Sequence, residues 1–227
     1  MAYILNLETA TTNCSVSIGR DGEGIVLKEH NSPGYSHSEQ LHNFIKEVLD
    51  EASLSFKDLD AIAVSKGPGS YTGLRIGVSA AKGLCFSLDI PLISIATLES
   101  MAHQVKLENI DFIIPVLDAR RMEVYATVFD GKGSEVRETK AEIIDENSFK
   151  EFVTRGKVHI VGSGAKKCAA LLKDPGFSFD TSMVPSAQEM CPLSYEKFKQ
   201  GNFEDLAYFE PYYLKDFMLS QQRKKGK

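Results

Sequence analysis

The chain has 227 residues, of which 43% are hydrophobic and 25% are charged, and its formal net charge is −5. This length suits one large domain or two small lobes, with enough apolar residues for a buried core. Proteins that hold nucleic acid unaided usually carry a basic face or a high pI. The acidic balance therefore argues against strong RNA binding by this chain alone.

Four cysteines are scattered along the chain without the paired spacing of a zinc or redox site: Cys14, Cys85, Cys168 and Cys191. The chain does not open with a basic segment followed by an apolar run, so no secretory signal is predicted. No apolar segment is long enough to span a membrane. We therefore expect a cytoplasmic protein with no membrane association, whose thiols are reduced and mostly buried.

Hydrophobic periodicity and turn residues predict a series of short elements in the first half of the chain. Ser36 and Glu39 have the spacing of a capping box at the start of the first helix. In chain order we predict strands near 2–7, 14–19 and 24–30, a helix at about 37–53, a strand at 60–65, a helix at 71–87, a strand at 91–95, and a short helix capped by Thr97.

The second half repeats this order. A last helix is predicted to start at Ser186, with Glu189 in capping-box spacing, an interruption at Pro192 and an end at Gly201. Before it we predict strands at 111–117, 122–129 and 135–140, a helix near 148–155, a strand at 157–161, and a helix from about 165 to 173.

Three strands followed by alternating helices and strands, twice over, predict a duplicated βββαβα unit in an α/β protein. A polar stretch near Lys106–Asn109 separates the two patterns. It divides the chain into an N-terminal lobe of residues 1–106 and a smaller C-terminal lobe of residues 107–227. Residues 221–227 are short, polar and basic, and we predict that they are disordered.

The most informative segment runs from Ser65 through two glycines and a proline into the helix at 71–87. This helix carries small residues at every fourth position, so they share one face: Gly73, Gly77, Ala81 and Cys85. Glycine costs a helix interior about 1 kcal/mol relative to alanine, so close approach of another backbone is the expected compensation. Packing within the domain and a helix–helix partner surface are both open explanations.

The turn before this helix resembles phosphate-binding loops only superficially. It lacks the Gly-Lys-Ser/Thr of a P-loop, and Thr72 stands where a dinucleotide-binding loop has its third glycine. The first amides of a helix can hold an anion. Ser70 is placed to cap those amides instead, and we favour this structural role.

Residues 67–77, Gly-Pro-Gly-Ser-Tyr-Thr-Gly-Leu-Arg-Ile-Gly, resemble the signature of the bacterial TsaB (YeaZ) family, whose members are partners of TsaD in the threonylcarbamoyl modification of tRNA. Segments 4–11, 118–125 and 211–215 also agree, so the resemblance spans nearly the whole chain. Glu8 departs from the aspartate that is usual in the family. The resemblance implies the actin/Hsp70/sugar-kinase architecture, in which two ribonuclease-H-like lobes face a cleft.

An enzyme of this architecture needs an acidic residue after its first strand and a phosphate-gripping turn in each lobe. The candidate cofactor-binding residues are Glu8, Thr9 and Thr11 in the first lobe, and Asp118, Gly162 and Gly164 in the second. Each has a structural alternative, because threonines bond their own turn, Asp118 can pair with Arg120 or Arg121, and glycine turns commonly join strands to helices. The residues predict at most weak binding of ATP or ADP with magnesium, and no required cofactor.

Candidates for a metal site or a nucleophile are few. His37 and His42 are five residues apart, which is about 140° around a helix, so they cannot share one ion without further ligands. No pattern ties a serine to a histidine and an aspartate, although a triad can form in space alone. We predict no catalytic residues and no metal site. An independent nucleotide-dependent enzyme or a peptidase is the alternative function.

Apolar and basic side chains on the two helices of the first lobe predict an association surface, and the alternative is that a second layer of the fold covers them. The candidate partner-binding residues are Leu41 and Ile45 on the first helix, and Tyr71, Leu74, Arg75, Val78, Lys82 and Phe86 on the second.

The resemblance implies that TsaD pairs with these helices and that homodimers use the same surface. It also implies that the ATPase TsaE joins a larger complex, and that tRNA is bound through this complex. The predicted function is a non-catalytic scaffold. In its complex, threonylcarbamoyl moves from its adenylate to the adenosine beside the anticodon of tRNAs that read codons beginning with A. A basic tail is a candidate tRNA contact or simply a solvated end: Arg223, Lys224, Lys225 and Lys227.

Overall fold

The computed structural model describes residues 1–32, 37–106 and 108–215. The predicted capping residue Ser36, the predicted disorder at residues 221–227 and the whole basic tail lie outside these ranges. None of the helices in the described part of the chain is long and apolar enough to cross a membrane.

The first half folds into a five-stranded sheet with the order β3-β2-β1-β4-β5, in which β1 pairs antiparallel with β2 and parallel with β4. A single 3₁₀ turn spans Phe56–Asp58. The other elements are β1 (Tyr3–Glu8), β2 (Asn13–Arg20), β3 (Glu23–Asn31), α1 (His37–Ala52), β4 (Ala61–Gly67), α2 (Tyr71–Leu88), β5 (Leu92–Ala96) and α3 (Thr97–His103).

The second half repeats this plan, because its sheet has the order β8-β7-β6-β9-β10 with the same parallel and antiparallel pairs. Its elements are β6 (Phe112–Asp118), β7 (Glu123–Asp130), β8 (Glu135–Ile143), α4 (Lys150–Val153), β9 (Val158–Val161), α5 (Ala165–Leu171), β10 (Phe177–Asp180) and α6 (Met190–Lys199). The predicted duplicated α/β unit is confirmed, and each half has the strand order of a ribonuclease-H-like lobe. Among the strands of the described ranges, the sequence pattern missed β10, which has four residues.

Two predicted helix starts are wrong for the same reason. Helix α6 begins at Met190 and not at Ser186, whose hydroxyl donates to Oε2 of Glu29 at 2.8 Å. Pro192 therefore lies in the first turn, where its missing N–H costs nothing, and it does not interrupt the helix. Thr97 does not cap α3, because it is the first helical residue and its hydroxyl lies 2.8 Å from that of Ser65. In each case the hydroxyl that was predicted to cap a helix takes part in a tertiary hydrogen bond instead.

Helix α6 packs on the first sheet although it belongs to the second half of the chain. Met190 lies in one buried cluster with Ile4 and Ile93. Polar contacts extend this interface, since the hydroxyl of Ser194 donates to Oδ1 of Asn6 at 2.7 Å. The division predicted at residues 106 and 107 therefore does not describe α6, which covers the face of the first sheet opposite α1 and α2.

The small-residue stripe of α2 faces the turn that follows β1. A Cβ on Gly73 would lie 2.1 Å from the carbonyl oxygen of Thr9, and one on Gly77 would lie 2.3 Å from Oγ1 of Thr9. The Thr9 hydroxyl donates to the carbonyl oxygen of Gly73 at 2.8 Å. Ser70 caps the helix as predicted, accepting from the Gly73 amide at 3.3 Å. Of the two explanations, packing within the domain is the correct one for this stripe.

We predict that Gly73→Ala lowers the free energy of unfolding by about 1–3 kcal/mol, the usual cost of overpacking. Gly83→Ala is the matched control on the same helix, because nothing lies within 4 Å of the Cβ it adds. That control raises the free energy of unfolding by up to about 1 kcal/mol through helix propensity. Urea unfolding measures both variants. Equal effects of the two substitutions would contradict an internal role for the stripe.

Candidate functional site

A cleft of about 700 Å³ lies between the two halves. The first half contributes the turn after β1 and the start of α2, and the second half contributes the β6–β7 turn. The closing segment of the chain, Tyr212–Lys215, lines the cleft as well. This is the position at which an actin-like architecture places its ligand, so each predicted site residue can be tested against it.

Glu8 is fully buried at the end of β1 and does not line the cleft. Its Oε1 accepts a hydrogen bond from the amide of Ala10 at 2.6 Å. Burial raises the pKa of Glu8 from its ordinary value of 4.5 to about 7, against the opposing effect of the hydrogen bonds that it accepts. The carboxyl group therefore belongs to the packing of the β1–β2 turn.

The two threonines behind Glu8 also serve this turn. Thr9 is buried beneath α2, as described above. Thr11 lines the cleft, but its hydroxyl accepts from the amide of Asn13 at 3.3 Å and its carbonyl oxygen lies 2.7 Å from Nε2 of His37. These contacts fit the structural alternative, in which the two threonines bond the backbone around their own turn.

Asp118 lines the cleft and is paired, but its partner is not the predicted one. Nζ of Lys167 lies 2.7 Å from Oδ1 of Asp118, and the same oxygen accepts from the backbone amide of Arg120 at 2.6 Å. The expected pairing with the side chain of Arg120 or Arg121 is wrong. Helix α5 supplies the cation because its first turn lies directly beside the end of β6.

Gly162 and Gly164 are packed against other residues of the chain, and their amides are hydrogen-bonded within it. A Cβ on Gly162 would lie 2.4 Å from the Met101 methyl group, and one on Gly164 would lie 2.9 Å from a Val124 methyl group. Their amides donate to the carbonyl oxygens of Asp180 and Val116. With Glu8 buried away from the cleft, these residues do not fit a nucleotide with magnesium.

The closing segment ties the two halves together across the cleft. The amide of Tyr212 donates to the Lys66 carbonyl at 2.7 Å, and the ring of Tyr213 lies 5.0 Å from that of Tyr71. Lys215 then forms an ion pair with Glu123 on β7. Sequence reasoning missed this role, and the signal for it was the pair of tyrosines at positions 212 and 213.

One serine and one histidine meet outside the cleft. The hydroxyl of Ser178 lies 2.8 Å from Nδ1 of His159, on the neighbouring strands β10 and β9. Asp180 is close enough to influence His159, but it accepts hydrogen bonds from Ser182, and burial lowers the pKa of the imidazole. This group does not line the cleft, and among the described residues no carboxylate hydrogen-bonds to His159 to orient it as a base, which a catalytic triad requires.

The titratable side chains assemble no metal site in the described ranges. No group of three or more His, Cys, Asp or Glu residues there could hold an ion. The four cysteines are all buried and unpaired, as predicted. Burial raises the pKa of Cys85 to about 12, so this thiol is inert near neutral pH.

The predicted partner surface needs correction. Four of its eight residues are buried in the core, so they cannot contact a partner: Leu41, Ile45, Leu74 and Val78. Tyr71 contacts Tyr213 of the closing segment, and Nζ of Lys82 donates to the carbonyl oxygens of Ala207 and Phe209, which precede that segment. Arg75 and Phe86 are the two members that point outward from α2.

Two ribonuclease-H-like lobes that face a cleft define the actin-like class of α/β proteins, which includes Hsp70 and the sugar kinases. Residues 29–218 match the family described as tRNA N6-adenosine threonylcarbamoyltransferase, TsaD. The tRNA threonylcarbamoyladenosine biosynthesis protein TsaB of Escherichia coli is 30% identical, with 94% of each chain covered. TsaB of Bacillus subtilis is 37% identical over 124 residues, which are 54% of this chain and 53% of that protein.

Solved structures agree with these relatives. YeaZ from Pseudomonas aeruginosa has a TM-score of 0.83 and 25% identity, and the match covers 94% of this chain and 100% of that one. An uncharacterized protein from the same organism, with similarity to peptidase YeaZ, has a TM-score of 0.84 and 25% identity over 95% and 100% of the two chains. The chain belongs to the TsaB (YeaZ) family, which confirms the resemblance of residues 67–77.

The raised pKa of Glu8 predicts a pH dependence of stability. The folded state keeps this proton up to about pH 7, whereas the unfolded chain releases it near 4.5. The contribution of Glu8 is therefore fully present below pH 4.5 and is lost as the pH rises through 7. Relative to the parent chain, Glu8→Gln gains up to about 3 kcal/mol of unfolding free energy between those limits.

Urea unfolding across this pH range measures the gain, and Glu151→Gln is the control because Glu151 is exposed on α4. If Glu8→Gln and the parent chain keep a constant difference across the range, the carboxyl group is not held protonated by burial.

Proposed function

We propose that this chain acts in the biosynthesis of threonylcarbamoyladenosine in tRNA, as a subunit that performs no chemistry itself and orders its partner TsaD. TsaD then transfers threonylcarbamoyl from its adenylate to the adenosine beside the anticodon of tRNAs that read codons beginning with A. The ATPase TsaE joins the larger complex, and the setting is the cytoplasm. The names of the relatives support the pathway, and the contacts below support the role.

The outer face of α2 carries the proposal. Phe86 is 82% exposed, although the other large apolar side chains of this helix are buried or partly buried. Gly83 lies one turn earlier, with open space where its side chain would be. Residues three apart are neighbours on a helix surface, so an aromatic ring stands beside a gap that admits another backbone. Aromatic residues are enriched in protein interfaces, and this face fits a second helix.

The contacts of the predicted nucleotide residues support a role without chemistry. Glu8 lies in the core, Asp118 is neutralised by Lys167, and the amides of Gly162 and Gly164 are bonded within the chain. We infer that the chain needs no nucleotide for its function. The same α2 face would serve a homodimer when TsaD is absent, because a single face can pair with itself about a twofold axis.

We predict that Phe86→Glu weakens pairing with TsaD by at least about 10-fold, since a charge replaces an aromatic ring that the proposed complex would bury. Ile143→Glu is the matched control, because Ile143 is 73% exposed on β8, in the other half. Size-exclusion chromatography of the mixed proteins, followed by a titration, measures the pairing. Both variants should unfold at the parent urea midpoint.

The α2 face would be removed from the proposal if Phe86→Glu mixed with TsaD eluted at the same volume as the parent mixture. An equal loss of affinity in Ile143→Glu would have the same consequence. A shift of the unfolding midpoint in Phe86→Glu alone would show that the ring stabilises the chain rather than a complex.

We predict that calorimetry of the isolated chain with ATP and magnesium shows no binding tighter than about 1 mM, or −4 kcal/mol. The reason is that the residues of the predicted nucleotide site are bonded to other residues of the chain or lie away from the cleft. Micromolar binding that is lost in Glu8→Gln would instead favour the nucleotide-dependent enzyme.

A further inference from the structure

Two arginines in the cleft have side chains that pair with none of the described residues. Arg120 and Arg121 form the tip of the β6–β7 turn, where both are exposed and line the cleft. Over residues 1–32, 37–106 and 108–215, neither guanidinium makes an ion pair or a side-chain hydrogen bond. The sequence predicts that one of them neutralises Asp118, but Lys167 does so and leaves both arginines available.

The carboxylates that line the cleft are already neutralised. Asp118 pairs with Lys167, and Glu123 pairs with Lys215. The two arginines therefore make this cleft locally positive on a chain whose formal net charge is −5. A local reversal of sign attracts an anionic ligand and repels a cationic one.

Aromatic rings stand beside these cations. Tyr71, Tyr125 and Tyr213 all line the cleft, and Tyr213 is 38% exposed. A positive groove that combines arginines with aromatic platforms is the usual arrangement for single-stranded nucleic acid, because phosphates meet the cations and bases stack on the rings. The volume of about 700 Å³ is within the range of sites that enclose a ligand of nucleotide size.

We propose that the cleft is a contact site for single-stranded RNA, with phosphates against Arg120 and Arg121 and a base against the tyrosines. A free mononucleotide presents the same phosphate and base, so the experiment separates the two. The identification of the RNA as tRNA rests on the proposed function, but binding at this cleft does not require TsaD. Because the chain is acidic and the positive site is small, we expect it to bind RNA weakly by itself and to add to the RNA affinity of a complex.

The test uses the full chain and a fluorescein-labelled single-stranded oligoribonucleotide, by fluorescence anisotropy at about 50 mM salt, where electrostatic binding is strong. The variant is Arg120→Asn/Arg121→Gly. The φ angles of these residues are 69° and 50°, and asparagine and glycine adopt positive φ readily, so the turn is kept while both charges are removed.

We predict that this variant binds the oligonucleotide at least about 10-fold more weakly, and that the slope of log K against log salt falls by about 1.4, or 0.7 for each lost phosphate contact. Lys57→Ala/Lys132→Ala is the matched control, since it removes the same charge from two exposed positions outside the cleft. Its affinity should stay within about 2-fold of the parent value.

The absence of saturable RNA binding by the parent chain, or an equal loss in the two double variants, overturns the proposal. Displacement of the oligonucleotide by an equal concentration of AMP overturns the assignment to RNA, because the ligand is then a mononucleotide. The arginine variant should still elute with TsaD, and Phe86→Glu should still bind RNA. Failure of the RNA contact and failure of the pairing are thereby separate results.

Discussion

The close approach of α2 to the turn after β1 is the contact on which the rest of this structure depends. The main chain of α2 passes so near Thr9 that only hydrogen fits at Gly73 and Gly77. The amide of Ser70 donates to the carbonyl oxygen of Ala10 at 2.7 Å, which anchors the start of the helix to the same turn. With one face committed to this contact, α2 must present its opposite face, with Gly83 and Phe86, to the outside.

The same helix also organises the cleft. Lys82 donates to the carbonyl oxygens of Ala207 and Phe209, just before the closing segment, and Tyr71 contacts Tyr213 of that segment at the helix start. The segment continues to Lys215 and its ion pair with Glu123 in the other half. One helix thus carries the exposed Phe86 face and forms part of the cleft wall. The proposed scaffold role uses the first of these surfaces, and the proposed RNA contact uses the second.

Most of the fold follows from local patterns. Hydrophobic periodicity and turn residues predicted nine of the ten strands that the described ranges contain, and their repeated order, because hydrophobic burial imposes a period on each element. Helix starts were less predictable, since Ser186 and Thr97 use their hydroxyls in contacts with Glu29 and Ser65. The site was predicted least well. Lys167 is 49 residues from Asp118 and no local pattern links them.

The sequence by itself determined the duplicated α/β unit, the cap at Ser70 and the family, because these depend on residues close together in the chain. Only the tertiary structure decided that the stripe at Gly73 faces inward, that Glu8 is buried, and that Arg120 and Arg121 form no ion pair within the described part of the chain. Each of these depends on which distant segment arrives beside a given side chain. Packing and ion pairing between distant segments are set by three-dimensional proximity, which spacing along the chain does not encode.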